Sequence, residues 1–206
     1  MTDQVIDMEI PPEALARATS EMRHRVANTF QFLAALARMR SQKAVSPDVK
    51  RQLGWMADAI GSLGALERHR RGDGVDFASY LGEMAPIWRR RQGLDAPEVV
   101  VDAHSFTLND NAAAAVAVIA QELVGNALVH AFPGGGGRVV IRLSDAADGR
   151  CELTVSDDGA GFDPQSEDGQ DGFGLWLVRS LASQARGAFE LATSPSGTIG
   201  RLNFAV

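Results

Sequence analysis

Three short groups of residues in the second half of this chain have the types and spacing to hold a flat, phosphate-bearing ligand. In Val155-Ser-Asp-Asp-Gly-Ala-Gly-Phe162, a strand-like run from Cys151 to Ser156 leads into a carboxylate, Asp157, followed by Gly159 and Gly161. Glycine lacks a Cβ and accepts φ > 0, so backbone at these positions can pass close to a ring or a phosphate. Further on, Gly172-Phe-Gly174-Leu175 opens an apolar segment that reads as a helix through Leu181. A helix start behind glycines offers unpaired N–H groups and a positive dipole end to phosphates. Upstream, Glu122-Leu-Val-Gly-Asn126 sets a carboxylate and an amide on one face of an apparent helix. Taken singly, each group has a plainer reading. Asp-Gly is a common turn dipeptide, and a Glu and an Asn one turn apart suit a solvated helix face. Three such groups in this order rarely arise from turns.

A second chemical group lies in the first half. Met22, Val26, Phe30, Leu33 and Leu36 recur at the spacing of a helical stripe. At 100° per residue His24 points away from that stripe, with Asn28 one turn along as its neighbour. The spacing therefore places an exposed imidazole on the outside of a helix.

The elements that must position these groups fall into two halves. Pro11-Pro12 suits a helix start, and the first helix is predicted over Ala14 to Met39. Ser46-Pro-Asp48 interrupts it, and a second helix runs from Val49 to Leu66. Its residues Val49, Leu53, Met56, Ile60 and Leu63 form a heptad-like seam. Gly54, Gly61 and Gly64 weaken that helix by about 1 kcal/mol each relative to alanine. Two such helices expose an apolar stripe each, and pairing with a second copy would bury both in a four-helix bundle. Arg71-Gly-Asp-Gly74 reads as a loop, and Phe77, Leu81 and Met84 as a further helix ending at Pro86. From Val99 strands alternate with helices: strands at Val99–Val101, Val139–Leu143, Glu152–Val155, Phe189–Ala192 and Arg201–Val206, helices at Ala112–Ala131 and Phe173–Ala185. That alternation predicts an α/β sandwich with a mostly antiparallel sheet and helices on one face. Pro133-Gly-Gly-Gly-Gly137 reads as a flexible loop.

Composition sets the outer bounds. The chain has 206 residues, 45% hydrophobic and 22% charged, ordinary values for a soluble globular protein. A net charge of −6 argues against nucleic acid as the main ligand. The basic clusters Arg68-His-Arg-Arg71 and Arg89-Arg-Arg91 sit where cations suit a helix C-terminus. No apolar run approaches the ~20 residues of a membrane span, and the N-terminus lacks the features of a secretory signal. Cys151 is the only cysteine and falls in a predicted strand, where it reads as a small buried hydrophobe. Together these features predict a cytoplasmic protein without membrane contact.

The glycine and Glu/Asn groups resemble, in order, the N, G1 and G2 boxes of the GHKL (Bergerat-fold) ATP-binding domain of histidine kinases and gyrases. The likeness covers roughly residues 95–206. It implies that Asn126 ligates Mg²⁺ and that Asp157 accepts a hydrogen bond from the adenine amine. It further implies that Gly159 and Gly161 floor the adenine pocket, and that Gly172 and Gly174, with Leu175, form the hinge of a lid over the phosphates. One amide oxygen is a sufficient protein ligand, because Mg²⁺ borrows oxygens from substrate phosphates. The segment Glu21-Met-Arg-His-Arg-Val-Ala-Asn-Thr-Phe-Gln31 is similar to the phosphoacceptor box of HWE and second-type HisKA histidine kinases, through His24, Arg25, Asn28 and Gln31 with Glu21 upstream. Asn126-Ala-Leu-Val-His-Ala-Phe-Pro133 looks like that subgroup's N box. Two positions depart from it: Arg23 stands where a second histidine is frequent, and Val129 where lysine is frequent.

The resemblance implies an α+β fold: an N-terminal helical hairpin forming a four-helix bundle on dimerisation, then an α/β-sandwich (Bergerat) ATP-binding domain. Residues 1–72 would be the dimerisation and phosphotransfer helices, 73–94 a connecting helix and linker, and 95–206 the ATP-binding domain. It implies a histidine kinase that uses ATP and Mg²⁺ to phosphorylate His24 and passes the phosphoryl group to an aspartate of a response-regulator receiver. Glu122 is the first candidate for a base or orienting group and Glu21 the second. His130 could contact phosphate or pack structurally. No sensor segment fits before Pro11, so the expected input is a sensor protein acting in trans on the homodimer. The alternative is a phosphotransfer relay or receiver phosphatase with little autokinase activity.

Overall fold

A computed structural model describes residues 11–90, 95–104, 106–146, 149–162 and 173–205; Gly172 lies outside them. Helix α1 (Pro12–Lys43) begins with proline in its first turn, where the missing N–H costs nothing. Helix α2 (Pro47–Arg68) begins the same way after Ser46. The two form a hairpin whose seam is made of small residues. Ala27, Ala34, Ala57 and Ala59 are buried, and Ser41 Oγ donates to the Lys50 carbonyl at 2.8 Å. Gly64 belongs to this seam, since a Cβ there would lie 3.0 Å from Phe30 Cβ. The predicted stripe is covered only in part: Met22, Val26, Leu33, Leu36, Val49 and Met56 are exposed, while Phe30, Leu53, Ile60 and Leu63 are half-buried.

The segment expected as a loop at Arg71–Gly74 is a hairpin turn. It joins β1 (Arg70–Arg71) to β2 (Gly74–Asp76), and β2 pairs antiparallel with β4 (Thr107–Asn109). These strands are two or three residues long, too short to leave a period-two pattern in sequence. Gly72 takes φ 57° in the turn, and a Cβ on Gly74 would lie 2.8 Å from the Leu108 carbonyl oxygen. Helix α3 (Phe77–Arg90) does not stop at Pro86 but continues past it. Pro86 cannot donate to the Gly82 carbonyl four residues back, but Gly82 and Pro86 are both exposed, so water can reach that group. Buried Phe77, Leu81, Met84 and Trp88 hold the helix against the core on both sides of the proline.

Strands β3 (Glu98–Ala103), β5 (Arg138–Asp145), β6 (Arg150–Asp157), β7 (Ala188–Ser194) and β8 (Gly197–Ala205) form one sheet in the order β3-β5-β6-β8-β7. Only the β3–β5 pair is parallel. Alternate residues Val139, Ile141, Leu143, Cys151, Leu153, Val155, Leu202 and Phe204 are buried, and this face is covered by α4 (Asp110–Asn126) and α5 (Phe173–Gln184). Cys151 is fully buried in that core.

Asn109 caps α4, its side chain accepting from the Ala112 N–H at 3.0 Å. The helix and the turn after it, Asp110–Ala131, are long and apolar enough to cross a membrane, a correction to the sequence expectation; the segment is mostly buried between the sheet and its neighbouring helices. The glycine run after it is a tied turn rather than a free loop, because Glu98 N–H donates to the Gly137 carbonyl at 2.8 Å and Gly136 N–H to that of Asp95 at 3.2 Å.

Helix α3 is tied to both sides by polar contacts. Ser62 Oγ of α2 and Tyr80 OH lie 2.5 Å apart in the interior, and Trp88 Nε1 donates to Gln121 Oε1 of α4 at 2.7 Å. The basic cluster after α2 is consumed here. Arg68 pairs with Glu83, Arg70 with Glu67 and Asp110, and Arg71 with Asp76.

Candidate nucleotide pocket

The last turn of α4 widens into a π-helical turn, Ala127–Ala131, an irregularity frequent at functional sites. It forms one wall of a cavity of about 560 Å³. Val155, Leu191 and Gly200 of the sheet form the floor, the strand-end loop after β6 supplies Asp157, Gly161 and Phe162, and the start of α5 supplies Gly174 and Leu175. Asn126, His130, Asp157, Gly161, Gly174 and Leu175, scattered over the sequence, all line this one space.

The glycines of the strand-end loop are required by close approach. A Cβ on Gly159 would lie 2.3 Å from the Ala131 carbonyl oxygen, and one on Gly161, at φ 61°, would lie 2.0 Å from that of Ser194. Gly159 therefore supports the wall from behind, while Gly161 faces the cavity. Asp157 Oδ1 accepts from Gly159 N–H at 3.0 Å and Thr198 N–H at 3.2 Å. Burial lifts the Asp157 carboxyl above its ordinary range, and these two backbone donors oppose that rise. Both bonds use Oδ1, so Oδ2 can serve a ligand donor. Thr198 and Gly197 escaped the sequence reading. Gly197, at φ 127°, would bring a Cβ within 2.0 Å of the Asp157 carbonyl oxygen. No local pattern marks either residue, because their role arises from the pairing of β6 with β8.

Glu122 stands one turn before Asn126 and is buried, with 6% of its surface exposed. Its carboxylate accepts from the Trp55 indole N–H, and a Cβ on Gly174 would lie 2.6 Å from Oε2. Burial, reinforced by the nearby Asp58 charge, pushes Glu122 up to about 7. Gly174 is thus required by its close approach to Glu122.

His24 and Glu21 are exposed on α1 and do not line the cavity. The structure therefore separates the two halves of the predicted chemistry. His130 and Val129 are both exposed on the π-helical turn, and only His130 lines the cavity. The Asn126 side-chain amide, set in the cavity wall, fits the single hard oxygen ligand that Mg²⁺ needs beside phosphates.

Comparison with known proteins finds matches to two families. Residues 21–88 match a family described as histidine kinase, and residues 96–203 match the histidine kinase-like ATPase domain. Blue-light-activated histidine kinase 2 of Erythrobacter litoralis is 26% identical over 90% of this chain and 56% of its own length. Sensor histidine kinase PdtaS of Mycobacterium tuberculosis is 30% identical over 88% of this chain and 40% of its own length. The chain thus spans about half the length of the curated relatives it matches. Among solved structures, the histidine kinase domain of the Erythrobacter litoralis EL346 blue-light-activated kinase superposes with a TM-score of 0.67 at 20% identity. That match covers 86% of this chain and 95% of the other, and it supports the fold. With a histidine kinase match at 21–88 and a histidine kinase-like ATPase domain at 96–203, the chain belongs to the histidine kinase family.

Proposed function

We propose that this chain is an ATP-dependent protein histidine kinase of two-component signalling, phosphorylated on His24. The observation that carries the proposal is the gathering of Asn126, Asp157, Gly161 and Gly174 around one cavity, in a chain that also exposes His24 on a separate helix. Asp157 Oδ2 accepts from the adenine amine, and the N–H groups at the start of α5 face the phosphates. Asn126 would hold Mg²⁺, which would supply charge neutralisation at the transferring phosphoryl group.

Neutral His24 attacks the γ-phosphorus with a ring-nitrogen lone pair, and the bond to the departing ADP oxygen breaks. The proton on the other ring nitrogen is held or removed by a carboxylate, Glu122 first and Glu21 second. The phosphoryl group then passes to an aspartate of a response-regulator receiver. The functional parts are residues 1–72, 73–94 and 95–206, as the boxes divide them, working in the cytoplasm without nucleic acid or membrane as ligand.

The uncovered stripe on α1 and α2 supports a homodimer. Each large apolar side chain buried there contributes about 1.5–3 kcal/mol before ordering costs, and a two-fold pairing covers the same stripe on both copies.

Incubation with γ-labelled ATP should give an acid-labile label that His24→Ala abolishes while nucleotide affinity stays within about twofold. Labelling of that variant at the normal rate would overturn the assignment. A protein that takes phosphate from a phosphorylated receiver but never from ATP would instead be the relay or phosphatase.

A further inference from the structure

The register of the helical hairpin fixes how far His24 lies from Glu122. Arg38 Nη2 meets Asp58 Oδ1 at 3.2 Å, Gly61 faces Ala34, Gly64 faces Ala27 and Phe30, and Arg23 reaches the Arg70 and Gly72 carbonyls. His24 is therefore level with the C-terminal end of α2, near His69. Trp55 is level with the α1 segment around Arg38. At a rise of 1.5 Å per residue these levels stand on the order of 20 Å apart along the hairpin, beyond the reach of any side chain. Glu122 is bonded to Trp55 and so shares its level. A two-fold axis along a four-helix bundle preserves height, so the histidine of a second copy is no closer.

The same tryptophan also touches the start of α5. Its ring meets Phe173 edge-on, with centroids 5.2 Å apart and planes at 89°, and Phe173 in turn lies 5.7 Å from Trp176. Phe173 and Trp176 are 59% and 56% exposed, and Trp55 gives this end of α5 an apolar contact from α2. One side chain of α2 thus holds both the candidate base and the entrance to the phosphate side of the pocket.

We infer that Trp55 is a latch. Through its indole N–H on Glu122 and its ring on Phe173 it fixes the ATP-binding domain on α2, away from His24, and phosphoryl transfer requires its release. The inference rests on the proposed phosphorylation of His24. It predicts that weakening the latch speeds the reaction, whereas a residue that merely supports the fold would slow it.

Trp55→Phe keeps an aromatic ring for Phe173 and removes only the donor. Its initial rate of His24 labelling at saturating ATP should rise about tenfold, the shift expected when one hydrogen bond to a charged acceptor is lost from the closed state. Affinity for a fluorescent ADP analogue should be unchanged. A variant that labels no faster than the unmodified protein overturns the latch.

The bond itself is read without activity, from the indole N–H resonances of the three tryptophans. The resonance missing from Trp55→Phe should be displaced in Glu122→Gln; no displacement also overturns the latch. Label that persists in His24→Ala, or no acid-labile label in any form, overturns the kinase assignment instead. Label that depends on His24 but is no faster in Trp55→Phe defeats the latch alone.

Discussion

The hairpin and the sheet domain bury different kinds of side chain. Between α1 and α2 the buried residues are small, among them Ala27, Ala34, Ser41, Ala57, Ala59 and Gly64, while Met22, Leu33, Leu36 and Met56 stay exposed. Around the sheet the fully buried residues include large ones, Trp88, Tyr80, Phe77, Phe204, Ile119 and Ile141, beside small ones such as Ala113 and Ala117. Small residues let two helices approach closely but remove little apolar surface from water. The sheet domain is thus complete within one chain, whereas the hairpin keeps its large apolar side chains for something else. The domain that binds the nucleotide needs a fixed pocket. The helices that carry the histidine need a surface another molecule can complete.

The largest expected effect tests the completeness of the sheet domain. Phe204→Ala removes a fully buried ring and should destabilise that domain by about 3–5 kcal/mol, seen as a lower urea midpoint that does not depend on protein concentration. A concentration-dependent midpoint would mean that the domain also relies on a partner copy.

The hairpin should answer in the opposite way. Met56 is 45% exposed in the single chain, so Met56→Asp should barely change the unfolding of a monomer. In a dimer it would bury an unpaired carboxylate. Light scattering should show the unmodified protein at about twice its 22.0 kDa chain mass and the variant at the chain mass. An unmodified protein that is already monomeric at micromolar concentration removes the dimer and the contrast with it.

Glycine substitutions sharpen the comparison at smaller scale. Gly159→Ala sets a Cβ against the Ala131 carbonyl and should weaken nucleotide binding tenfold or more, measured by titration with a fluorescent ATP analogue. Gly64→Ala meets Phe30 at 3.0 Å and should alter hairpin stability while nucleotide affinity stays within twofold. Equal losses of affinity would mean that the two regions are more tightly coupled than their contacts suggest.

A further expected effect is one of pH. The Glu122 carboxyl is raised from its ordinary 4.5 to about 7 by burial, with the Asp58 charge adding to it. The folded protein therefore holds this proton more tightly than the unfolded chain. Its contribution to stability is complete below the ordinary carboxylate range and is lost as pH rises through about 7. Glu122→Gln should flatten the fall in stability between about pH 4.5 and 7, followed by thermal melts across that range. An unchanged slope would place the cause in another group.

Much of the site was legible because its chemistry sits in short runs. Asp157 with Gly159 and Gly161, Glu122 with Asn126, and Gly174 with Leu175 are each set by neighbours within one turn or loop, and sequence order carries that information. The long elements were legible for the same reason, since the periodicity of α1, α2, β5 and β6 repeats often enough to be counted. What failed was short or dependent on distant context. The two- and three-residue strands β1, β2 and β4 have no period to show. Pro86 stops a helix only where packing does not hold both sides of the proline.

The sequence by itself determined which atoms can do chemistry here: an imidazole on one helix, and an amide, a carboxylate and a set of glycines around a strand end. These follow from residue type and local spacing. The tertiary structure alone decided that Thr198 bonds Asp157, that Gly174 lies against Glu122, and that Glu122 meets Trp55 at the far end of the hairpin from His24. Each of these contacts joins segments distant in the chain, and their distances are set by strand pairing and helix register, which no local pattern encodes.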